Sequence, residues 1–142
     1  GIGIGPVDLP LPDSPRAGRG PAFIAARAAV REAHPSPGQL AVRMGTTPGL
    51  DSSSREVRER HTRYAESALL LYARLLRART AEGWQVTDLL AAGVSQKEAA
   101  TRLGISASAV SQRVRRSGWF EQAGAEALVC HHLSVADDRT DP

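Results

Sequence analysis

A single cysteine, Cys130, stands in 142 residues, so no intrachain disulfide forms and the fold must rest on packing. Aromatic residues make up only 4% of a chain that is 42% hydrophobic. That supplies one modest core or two small ones and excludes a large catalytic barrel. Long apolar runs are absent too. The most apolar stretch, residues 67–76, is interrupted or flanked by Arg63, Arg74 and Arg77, well short of the roughly 20 residues that a membrane span needs. The first residues lack the basic flank and apolar run of a signal peptide, and Gly1 in place of methionine is what a chain beginning inside a longer domain would show. These absences lead us to expect a reducing, cytoplasmic setting and no membrane partner.

Enzyme signatures are missing as well. Gly1, Gly3 and Gly5 do not continue into a dinucleotide fingerprint, because Pro6 and Asp8 fall where the third glycine belongs. No phosphate-binding loop occurs, and His34, His61, His131 and His132 form no recognisable triad with serine and aspartate. Cys130-His131-His132 invites a metal, but adjacent ligands on a helix point in different directions and a closed zinc site needs four. The expectation is therefore no enzyme, no cofactor and no metal.

What is present changes character near residue 51, because eight of the nine prolines and eight of the thirteen glycines precede it. Gly1 to Gly5 alternates small and β-branched residues like a strand, and Pro21 suits the first turn of a helix that carries Phe23, Ala26 and Val30 at helical spacing and ends before Pro35. Leu40, Val42 and Met44 alternate like a second strand closed by Gly45. Two strands are marginal alone, so residues 1–50 read as an incomplete α/β segment or a loosely held extension. Residues 51–81 read as one long amphipathic helix, with Val57, His61, Tyr64, Ala68, Leu71, Leu75 and Ala78 on a line spaced alternately by four and three. That line packs on its own domain or, through residues 54–80, forms a homodimer seam. Gly83 is expected to end the helix, and residues 134–142 to be a disordered tail.

Residues 82–133 hold the informative stretch. Ser95 followed by Glu98 is a capping box, opening a helix from Gln96 to Leu103. Gly104 permits a tight turn, Ile105 offers an anchor, and Ser106 caps a second helix from Ala107 to about Ser117. Ala100 lies four residues before Gly104, and Val110 and Val114 fall six and ten after it. Helices crossing steeply need a small residue at closest approach, a turn residue able to take positive φ, and apolar residues on the inner face. The stretch from Gln96 to Arg115 resembles a phage-repressor or sigma-type helix-turn-helix throughout its length. Over residues 96–119, Lys97, Arg102, Arg113, Arg115 and Arg116 against Glu98 give a net charge of +4, where the whole chain carries +3. Dense positive charge suits duplex DNA, whose counterions are released on binding.

With Val110 and Val114 inward, Ala107, Ser108, Ser111, Gln112 and Arg115 face outward as major-groove readers, Gln112 suited to adenine and Arg115 to guanine. Arg113 and Arg116 are expected to clamp the DNA backbone, while Gln96, Lys97 and Ser106 line the helix starts where phosphates sit.

Together, Gly1-Ile-Gly-Ile-Gly5, Gly20-Pro-Ala-Phe-Ile-Ala-Ala-Arg27, the long helix and the helix-turn-helix resemble the C-terminal part of the SatD family of bacteria. That resemblance implies a DNA-binding module. The same N-terminal pieces resemble half of a class III nucleotide cyclase domain, but Ile24 and Ala28 occupy the places of its asparagine and arginine, which disfavours cyclase activity. The expected protein is mainly α: a helix-turn-helix bundle preceded by a long helix and a small α/β segment, binding double-stranded DNA in sequence-specific fashion to regulate transcription. A helical protein-interaction adaptor, or the C-terminal fragment of a nucleotide-binding signalling protein, is the alternative.

Overall fold

The structure, a computed structural model, describes residues 1–137 and is mainly helical. In chain order it contains β1 (Ile2–Ile4), a 3-10 turn at Pro15–Ala17, α1 (Pro21–Ala33), β2 (Val42–Met44), α2 (Ser52–Arg77), α3 (Ala81–Ala91), α4 (Gln96–Leu103), α5 (Ala107–Arg116) and α6 (Trp119–Ala136). No helix among the described residues is long and apolar enough to cross a membrane.

The chain divides into two compact units, residues 1–70 with the segment from Leu128 onward, and residues 71–127. These divisions fall within α2 and α6, not at the expected boundaries after residues 50, 81 and 133. The proline-to-helix change near 51 marks a change in local chain stiffness, which need not coincide with the edge of a packed unit. Residues 134–136, expected in the tail, belong to α6, and Ala136 is fully buried. The remainder of that expected tail, residues 138–142, lies outside the described residues.

In the first unit β1 and β2 pair in parallel, Ile2 opposite Val42 and Ile4 opposite Met44. The two faces of β1 differ because side chains alternate along a strand. On the glycine face α1 comes so close that a Cβ at Gly3 would lie 2.1 Å from the Ala22 carbonyl oxygen and 2.4 Å from the Ala26 nitrogen. On the other face Ile4 and Val42 are buried with Ala136, and Leu69 and Leu133 pack beside them. The two strands are thus covered on both faces, which makes residues 1–50 part of a packed unit and not a loose extension. The Val42 N–H donates to Glu66 Oε2 at 2.7 Å, so a side chain of α2 takes up a backbone donor at the strand edge.

The buried stripes of α1 and α2 differ from the apolar lines in the sequence. On α1 they are Ala25, Ala29 and Ala33, while Val30 is 53% exposed. Small side chains are what permit the close approach to β1, so size selects the inner face over hydrophobicity. On α2 the buried residues are Arg58, Thr62, Ala65 and Ala68, whereas Val57, Tyr64 and Leu71 are exposed. Arg58 is buried because its Nε donates to the Ala136 carbonyl at 2.7 Å, placing a cation on the electronegative end of α6.

In the second unit α2 stops at Arg77, and Thr80 caps α3 by accepting from the Gly83 N–H at 3.1 Å. Gly83 therefore opens α3 and does not terminate α2. Val86 of α3, Ala100 of α4 and Val110 and Val114 of α5 form the core, with Leu90, Leu103, Ile105 and Trp119 packed against it. Gly104 joins α4 to α5 at φ +64°, and open space surrounds the position of a Cβ there. Gly104→Ala should therefore cost only the left-handed backbone penalty of about 1–2 kcal/mol, measured by urea denaturation. A loss above that range would mean that the turn tolerates less than its open surroundings indicate.

Candidate nucleic-acid interface

A serine cap opens each of α4 and α5. Ser95 Oγ accepts from the Glu98 N–H at 3.2 Å, and Ser106 Oγ accepts from the Ala109 N–H at 3.2 Å. Each hydroxyl satisfies a helix-start donor that has no intrahelical partner. The Glu98 carboxylate does not complete the reciprocal box with its Oε1, which accepts from Arg102 Nη2 at 2.6 Å one turn on.

Val110 and Val114 are fully turned into the core, at 0% and 1% exposure. The opposite side of α5 follows from the 3.6-residue period: Ala107, Ser108, Gln112, Arg115 and Arg116 are exposed, and Ser111 and Arg113 are half-buried. Ser111 Oγ donates to Gln96 Oε1 at 3.2 Å, so these two side chains tie α5 to the start of α4. Ser106 and Ser108 lie hydroxyl to hydroxyl at 2.9 Å. Lys97 is exposed on the first turn of α4. Among the described residues Lys97, Arg115 and Arg116 enter no ion pair.

A cleft of about 320 Å³ separates α5 from the start of α3, bounded by Thr80, Glu82, Gln112, Arg113, Arg116 and Ser117. The Glu82 carboxyl is held below its usual range by its own backbone N–H, then by the Thr80 hydroxyl, with the Arg113 charge contributing least. It is therefore an anion at neutral pH beside Arg113, which is partly compensated while Arg115 and Lys97 are not.

Sequence periodicity missed the residue that holds this surface in place. Arg79 is 7% exposed. Its Nε donates to the Ser117 carbonyl at 2.9 Å, Nη1 to Thr87 Oγ1 at 3.2 Å and Nη2 to Gln122 Oε1 at 3.1 Å, and the guanidinium lies 4.3 Å from the centre of the Trp84 ring. One side chain thus joins α3, the end of α5 and the start of α6. The only local signal is its place immediately before the capping Thr80.

The arrangement offers hydrogen-bond donors and acceptors and exposed positive charge on one helix face. Comparison with protein-family models, curated proteins and solved structures finds no match.

Proposed function

We propose that the protein is a bacterial transcriptional regulator that binds duplex DNA in sequence-specific fashion through a helix-turn-helix, α4 and α5, with α5 in the major groove. The observation that carries this reading is the division of α5 into a fully buried Val110/Val114 face and an exposed face bearing Ser108, Gln112 and Arg115. Gln112 offers the paired donor and acceptor that adenine N7 and N6 require, and Arg115 the fork that suits guanine O6 and N7. Lys97, Arg113 and Arg116 supply phosphate contacts, and Ser111 and Gln96 orient α5 by bonding each other. The resemblance to the SatD family points the same way. A second copy meeting this one along the exposed Val57, Tyr64 and Leu71 line of α2 would give a dimer reading two half-sites.

Selection from a pool of random duplexes at several salt concentrations tests the reading. A recovered motif is expected, palindromic if the dimer forms. Gln112→Ala and Arg115→Ala, made singly, should each lose about 1–3 kcal/mol of discrimination at one base position while retaining non-specific binding. Binding without any enriched sequence would overturn specific reading, and no binding at low salt would overturn DNA as the partner and favour the adaptor.

A further inference from the structure

We propose that His61, His131 and His132 form a binding site for a divalent transition-metal ion of the zinc class. Sequence reading led to the expectation of none, since residues 131 and 132 alone make a poor ligand pair. Folding adds the third imidazole from α2. The ligand atoms of all three side chains lie within 4.8 Å of one another, and Nδ1 of His61 is 3.1 Å from Nδ1 of His132. The ring centres are 4.9 Å apart for His61 and His132, 5.9 Å for His61 and His131, and 5.1 Å for His131 and His132.

Zinc bonds of about 2.0–2.1 Å in tetrahedral geometry set ligand nitrogens roughly 3.3 Å apart. The His61–His132 pair is close to that spacing, and a metal would replace the direct Nδ1–Nδ1 contact. His131 is exposed, and a rotation of its ring would close the remaining distance. Three imidazoles without a carboxylate suit zinc, copper or nickel and disfavour calcium and magnesium, which take oxygen ligands. Three ligands leave a fourth tetrahedral position for water or an external donor. The bound ion would staple α2 to α6 inside the first unit.

The test uses the full chain without a histidine tag, titrated with zinc chloride by calorimetry, and with cobalt(II) as a spectroscopic probe. The expected result is one ion per chain, a melting temperature that rises with zinc and returns with EDTA, and the ligand-field bands of tetrahedral cobalt without a thiolate charge-transfer band. His61→Ala and the double variant His131→Ala, His132→Ala should each weaken zinc binding at least about tenfold, the lower end of what losing even a partner of a metal ligand costs. Cys130→Ser should bind as the parent does. Octahedral cobalt spectra, or zinc affinity unchanged in His61→Ala, would overturn the site. So would a loss of affinity confined to Cys130→Ser. The cobalt spectrum is read on the unaltered chain, so a variant that fails to fold does not obscure the result.

Discussion

Replacing Lys97, Arg113 and Arg116 together with glutamine is expected to lower affinity for duplex DNA about a hundredfold at about 0.15 M salt, whatever the DNA sequence. Each phosphate contact contributes about 0.9 to the slope of log affinity against log salt, which at that concentration is worth roughly fivefold. Three contacts multiply to the stated loss and flatten the slope by about 2.7. The helical caps and the Val110/Val114 core do not involve these side chains, so circular dichroism and thermal unfolding should be unchanged. This pattern differs in kind from that of Arg115→Ala, which should act at one base position. Filter binding or fluorescence anisotropy across a salt series separates them. An unchanged salt slope in the triple variant would remove these residues from the interface. Arg113 should contribute least of the three, because its charge is the one that acts on the Glu82 carboxylate.

Arg79→Met should lower stability by about 3 kcal/mol, a fall of roughly 10 °C in melting temperature for a chain of this size. Methionine fills much of the volume but leaves the Ser117 carbonyl, Thr87 Oγ1 and Gln122 Oε1 without the donors that Arg79 supplies. Hydrogen bonds from a charged group contribute about 1.5–3 kcal/mol each, and the stacking on Trp84 about 1 kcal/mol more. The desolvation of the guanidinium, released in the variant, offsets part of that sum. Arg79→Lys should recover little, since an ammonium group lacks the planar fork that reaches three acceptors at once. Urea denaturation of both variants is the check. A loss below about 1 kcal/mol in Arg79→Met would show that the three helices are held by the apolar core alone.

Local chemistry explains why the helices and caps of α4 and α5 were readable in advance. Ser95, Gly104 and Ser106 act within a turn of their own positions, so the bounds of α4 and the start of α5 follow from residue type and spacing. Val110 and Val114 lie one helical turn apart, which sets their face relative to Gln112 and Arg115 before any partner is known. The two strands and α1 were legible for the same reason. Residues that act across long separations were not. Arg58 meets the Ala136 carbonyl and Arg79 meets Ser117, and neither pairing has a local signature. The buried alanines of α1 were also missed, because a period of apolar residues does not reveal that β1 presents glycines to that helix.

The sequence by itself determined the mainly helical class, the caps, the turn at Gly104 and the positive charge of α4 and α5, all products of neighbours within a few residues. Only the tertiary structure decided which face of α1 and α2 is buried, that the two strands are covered on both sides, that Arg79 joins three helices, and that His61 stands beside His131 and His132. Those outcomes depend on which distant surfaces meet. That choice is made by side-chain size and by buried donors finding acceptors, across separations over which a periodic pattern carries no information.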